Sequence, residues 1–196
     1  SEPPFALLGG QEHFDGAEEL ERVGRCLDRQ FPDDLDRVVG RVAEVEELGR
    51  LLQSSDNPPV LLLGPPKAGK TAILHETVYQ IVAKRKSPYA SKGNVWLISP
   101  QRLIAGMSYV GQWENRLIAI LKEAKRSRHA LYVDDLLGLF QAGVSAGSAL
   151  NVGNVLKPYL ERRDVRLVGE ITQDAFHVLQ EKDRGFADLF HVIRVD

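Results

Sequence analysis

The sequence has a single cysteine, Cys26, which excludes a disulfide framework and a cysteine metal site. Its five histidines are scattered, without the spacing a metal site needs. No apolar run approaches the roughly 20 residues that cross a bilayer as a helix, and no signal peptide is visible. Aromatic residues make up only 7%, and the formal net charge is -2. With no basic stripe and no aromatic platform, nothing favours nucleic acid or an anionic membrane as a partner. These absences predict an intracellular, cytoplasmic protein. What is present suits a soluble globular chain: 43% hydrophobic and 27% charged over 196 residues. That is enough for one domain with its own core and an appended arm or helix.

Hydrophobic patterning divides the chain. Residues 1–11 hold Pro3, Pro4, Gly9 and Gly10 without a sustained period and read as an arm or linker. Asp15 is placed to cap a helix over Gly16–Arg29, with Leu20, Val23 and Leu27 on one face and Glu18, Glu19 and Glu21 near its start. The plainer reading packs that helix on the main domain; the sharper one makes it the last helix of a preceding domain. Phe31-Pro32-Asp33-Asp34-Leu35-Asp36 resembles a linker, and the chain divides into residues 1–34 as arm, helix and linker and 35–196 as the main unit. There, strand-like runs at Pro59–Leu63, Asn94–Ile98, His129–Asp135, Val165–Thr172 and Phe190–Val195 alternate with helical patterns. The alternation predicts an α/β fold: a parallel sheet with helices on both faces. Gln141–Gly147, rich in Gly, Ala and Ser, reads as a mobile connection.

The most specific stretch is Gly64-Pro65-Pro66-Lys67-Ala68-Gly69-Lys70-Thr71, which matches the phosphate-loop pattern G-x-x-x-x-G-K-[ST]. A short apolar strand precedes it and a helical pattern follows, the order that the motif requires. Gly64 and Gly69 are expected to let the backbone take angles closed to other residues, so that successive N–H groups surround a phosphate. The helix start adds the positive end of its dipole. Lys70 would reach the β- and γ-phosphates, and the Thr71 hydroxyl would ligate Mg²⁺. Such sites also need a carboxylate at the end of a neighbouring buried strand, and Leu131-Tyr132-Val133-Asp134 supplies one. Asp135 follows, where such ATPases carry a base that orients the attacking water.

With these features in place, the chain resembles the first AAA+ module of the Clp-type protein unfoldases and disaggregases. The resemblance is carried by Leu35-Asp36-Arg37-Val38-Val39-Gly40-Arg41, Gly64–Thr71, Ala105-Gly106-Met107-Ser108-Tyr109-Val110-Gly111 and Gly153-Asn154-Val155-Leu156-Lys157-Pro158, nearly in register from Leu35 to Val195. It implies the large α/β subdomain of an AAA+ phosphate-loop ATPase using ATP, ADP and Mg²⁺. It further implies a homo-oligomeric ring, commonly a hexamer, that threads polypeptide. By the same resemblance Val39, Gly40 and Arg41 sit near the adenine, Thr172 is the polar sensor at the γ-phosphate, and Tyr109 is the pore-loop aromatic that grips substrate.

The chain also departs from that pattern. Asp135 stands where the family has glutamate, pulling the carboxylate back by about 1.5 Å, and such misplacement can cost on the order of 100-fold in rate. Asp188 and Leu189 occupy the places of the family's two finger arginines, each such finger being worth roughly 10³ to 10⁵ in rate. Ser108 and Val110 flank Tyr109 where basic residues often stand. The sequence stops at Asp196, so the helical lid of the family is absent from it. Two readings follow: an ATPase module of a protein-remodelling ring with weakened hydrolysis, or a non-hydrolysing nucleotide-binding scaffold acting with a partner ATPase. A DNA-handling ATPase of the same superfamily draws little support.

Overall fold

A computed structural model describes residues 13–87, 90–108, 110–144 and 150–196. Helix α1 (Gly16–Val23) starts as predicted, with the Asp15 carboxylate accepting from the Ala17 and Glu18 N–H groups. It stops six residues before the predicted end, at Val23 rather than Arg29. Gly24 turns extended and leads into a short strand, β1 (Gly24–Cys26). A Cβ at Gly24 would lie 2.7 Å from the Leu97 carbonyl oxygen, so glycine alone allows that close approach. A 3-10 turn at Asp28–Gln30 follows. Buried Asp28 accepts the Val95 N–H at 2.7 Å and pairs with Arg85 at 2.8 Å. Leu20, Val23 and Leu27 are all buried, so this segment packs on the sheet.

The chain then runs α2 (Val42–Leu52), β2 (Val60–Leu63), α3 (Lys70–Ala83), β3 (Val95–Ile98), α4 (Pro100–Ile104), α5 (Val110–Arg126) and β4 (Ala130–Val133). After these come α6 (Leu136–Gln141), α7 (Val152–Glu161), β5 (Arg166–Ile171), α8 (Gln173–Lys182), α9 (Arg184–Ala187) and β6 (His191–Arg194). Helix α6 opens directly from the acids after β4, before the Gly- and Ala-rich stretch. Residues 145–149 of that stretch lie outside the described residues.

The strands form one sheet in the order β1-β3-β4-β5-β2-β6. The five strands from β3 to β6 are parallel, as predicted, whereas β1 pairs antiparallel with β3, Gly24 opposite Ile98 and Cys26 opposite Trp96. The sheet is therefore mixed. Along β2, Val60 and Leu62 face one core with Leu48, Ile73, Leu74 and Val78; Leu61 and Leu63 face the other with Leu117, Leu136 and Leu156. Alternation with both faces covered explains why β2 is apolar throughout. The chain leaves β2 for β3, builds β4 and β5 back toward it, and then crosses to β6 on its far side. Loops at the carboxyl ends of β2 and β5 thus open beside a change of direction in the sheet, where α/β folds bind ligands.

Candidate functional site

The loop after β2 is clamped at its base. The Gly64 N–H donates to the Ile171 carbonyl at 3.1 Å, and the Val195 N–H to the Leu63 carbonyl at 2.8 Å. Gly64 is needed for a different reason from the one expected. Its backbone stays out of the left-handed region, but a Cβ there would sit 2.1 Å from the Val195 carbonyl oxygen. Gly69 does take the left-handed conformation, at φ 98°, and so does Lys67, at φ 63°. Gly69 is also the N-cap of α3, with no side-chain cap and no acid in the first turn. The positive end of a 14-residue helix therefore opens into the loop with no acid of its own in the first turn.

Lys70 is 8% exposed, and its ammonium donates to the Gly64 and Pro65 carbonyls of the same loop. Burial lowers its pKa, and the charge of Glu170 opposes that. The Thr71 hydroxyl lies 3.0 and 2.9 Å from the two carboxylate oxygens of Glu170, with the Tyr132 hydroxyl 3.4 Å away. Glu170 is 6% exposed. Burial pushes its carboxyl up to about 7, while the Thr71 hydrogen bond and the Lys70 charge pull it back. The loop backbone, a cation, a hydroxyl and an adjacent carboxylate have the chemistry to hold a polyphosphate and its Mg²⁺.

The other predicted residues are arranged less uniformly. Asp134 follows β4, is exposed, and makes no side-chain hydrogen bond or ion pair among the described residues. Asp135 is committed to α6: as N-cap it accepts the Gly138 N–H at 2.9 Å. Thr172 likewise caps α8, accepting the Ala175 N–H at 3.2 Å, but it lines a cleft of about 260 Å³ with Gly64, Pro65, Pro66 and Arg194. Arg41 bridges the loop and the chain end, donating to the Ala68 carbonyl at 2.9 Å and to the Asp196 carbonyl at 2.6 Å. Beside it Gly40 has φ 85°, and Val39 is 98% exposed, an apolar side chain with nothing over it. Arg37 pins this segment to α3 through Glu76 at 2.5 Å. Asp188 is the exposed C-cap of α9. Tyr109 lies outside the described residues.

Sequence reasoning missed Glu170. Val165–Thr172 reads as one apolar strand, and the signal available was a lone acid inside it. Alternation puts Glu170 on the same face of the sheet as Val168, toward α3.

A strand, a glycine loop and a helix without a side-chain cap, at the carboxyl ends of the sheet's parallel strands, define a phosphate-loop nucleotide-binding fold. The model of the family described as "ATPase family associated with various cellular activities (AAA)" matches residues 60–179. The chain belongs to that family, as a divergent member of its Clp-type branch in which this part is the first ATPase module. It is 35% identical over 180 residues to chaperone protein ClpB of Aquifex aeolicus, covering 90% of this chain and 18% of the relative. To the ClpA homolog protein of Fuscovulum blasticum it is 34% identical over 166 residues, 83% of this chain and 21% of that one. Among solved structures, the extended S. cerevisiae Hsp104:casein complex superposes with a TM-score of 0.75 at 27% identity, over 91% of this chain and 30% of that one. The chain thus spans about a fifth of the length of the curated relatives it matches. Among the described residues no helix is long and apolar enough to cross a membrane.

Proposed function

We propose that this chain is the ATP-binding large subdomain of a Clp-like protein-remodelling ring, cytoplasmic and homo-oligomeric, and that it hydrolyses ATP slowly. The observation that carries the reading is the Gly64–Thr71 loop running into the uncapped start of α3, with Lys70 beneath it. Lys70 and the loop N–H groups would hold the phosphates of ATP or ADP, and Thr71 and Asp134 would hold Mg²⁺. Bound Mg²⁺ would neutralise charge developing on the phosphates. Val39, Gly40 and Arg41 would flank the base; the exposure of Val39 suits an apolar contact with a flat ring. Tyr109 would grip a polypeptide in the pore of a hexamer.

The slow-hydrolysis reading is supported by Asp135, a shorter acid than glutamate with one oxygen held by the α6 cap, and by Asp188 and Leu189 in the finger places. The same observations favour a second reading, a non-hydrolysing module that gates a partner ATPase. Both readings require nucleotide binding. Titration with a fluorescent ADP analogue tests it: the protein should bind in Mg²⁺, and Lys70→Ala should bind about 10- to 100-fold more weakly, as expected for losing a charge-assisted contact. Equal affinity in the two proteins would remove the phosphate-loop reading.

A further inference from the structure

We infer that Glu170 is a second carboxylate of the metal site: it aims the Thr71 hydroxyl and holds the waters of the bound Mg²⁺. The inference rests on the nucleotide-binding reading above and adds to it a residue outside the loop and strand motifs.

Three observations carry it. First, Glu170 is buried on the α3 face of β5, where an unpartnered carboxylate is strongly disfavoured. Its side-chain partner is one hydroxyl, Thr71, shared between both carboxylate oxygens at 3.0 and 2.9 Å. A hydroxyl has a single proton to give, so the carboxylate keeps acceptor capacity that one donor cannot fill. The nearby cation, Lys70, already donates to the Gly64 and Pro65 carbonyls. Second, a Thr71 hydroxyl that donates its proton to Glu170 keeps an oxygen lone pair for a metal beside the long contact it accepts from the Tyr132 hydroxyl at 3.4 Å. Mg²⁺ takes oxygen ligands and keeps several waters, which are donors suited to the remaining acceptor capacity of Glu170. Third, Asp134 makes no hydrogen bond to Thr71, so the orienting contact comes from β5 rather than from the acid after β4. Glu170 is thus a positioning residue, and its charge should matter far more with metal than without it.

The test compares ADP affinity with Mg²⁺ and with a chelator, using a fluorescent ADP analogue, in the unchanged protein and in Glu170→Gln. The expected result is a Mg²⁺ enhancement reduced about 10- to 100-fold in Glu170→Gln, the usual cost of losing an outer-shell partner. Metal-free affinity should stay the same or rise, because a negative charge has left the phosphate site. Mn²⁺ binding in the presence of ADP, read from the free-ion EPR signal, should weaken in parallel. If Glu170→Gln fails to fold, Glu170→Asp carries the test, since a retracted carboxylate must also lower the enhancement. An undiminished enhancement, or an equal loss with and without metal, would overturn the inference. If the unchanged protein binds no nucleotide under either condition, the underlying reading falls and takes this one with it.

Discussion

The cleft at the strand ends has two halves that are built differently. On the phosphate side the functional groups are buried or bonded to one another: Lys70 to loop carbonyls, Thr71 to Glu170, Arg41 to Ala68 and Asp196. On the side where water would be activated, Asp135 and Thr172 are engaged as helix caps, and Asp188 ends α9. On the proposed reading, the contrast would let holding a nucleotide and turning it over come apart within one fold. Phosphate holding depends on backbone shape and a helix start, which the fold itself maintains. Turnover depends on a few side chains at exact reach, and here one oxygen of Asp135 and the Thr172 oxygen each also accept a helix N–H.

The largest effect expected from breaking this contrast is at Gly64. A methyl group 2.1 Å from the Val195 carbonyl must push β6 from β2, so Gly64→Ala should cost about 3 kcal/mol or more. A thermal melt should show a clearly lowered midpoint, together with lost ADP binding. On the other half, Asp135→Ala should cost about 1 kcal/mol of stability through the lost cap of α6, with ADP affinity unchanged. A large loss of affinity would instead place Asp135 among the phosphate-holding groups.

A smaller effect concerns the segment that pins the base side of the cleft. The Arg37 hydrogen bond holds the Glu76 carboxyl below its ordinary value of 4.5. A depressed carboxylate pKa contributes stability that is fully present above about 4.5 and is lost as pH falls through the folded-state value. Glu76→Gln should therefore flatten the fall in stability below about pH 5, measured by urea unfolding across that range. An unchanged slope would show that the pair contributes nothing, as exposed arginine partners often do.

Much of this was legible in the sequence because long-range periodicity and the loop motif agree. The five parallel strands are short apolar runs bounded by turns, and Gly64–Thr71 sits between one of them and a helix. What could not be read came from pairing rather than pattern. β1 is three residues without an apolar run, and the helical spacing of Leu20, Val23 and Leu27 runs straight through it. It becomes a strand because β3 offers an open edge and Gly24 permits the approach. Gly64 reads as a residue needed for its dihedral angles, whereas the constraint is the Val195 carbonyl just after β6, distant in sequence. Asp135 reads as a catalytic acid by position, yet the sequence DDLLG also supplies a helix start, and local capping engages one of its oxygens. Glu170 was hidden in an apolar strand because its partner, Thr71, is adjacent only in the folded sheet.

The most direct test of the central claim, nucleotide held but scarcely turned over, is the fate of bound ATP. The protein would be loaded with Mg²⁺ and ATP, bound nucleotide separated after many dissociation lifetimes, and the ATP and ADP fractions measured. The account predicts that the bound nucleotide remains ATP, and that Lys70→Ala retains almost none. Rapid conversion to ADP, abolished in Lys70→Ala, would contradict it and mean that Asp135 leaves its cap, or another group replaces it, to activate water.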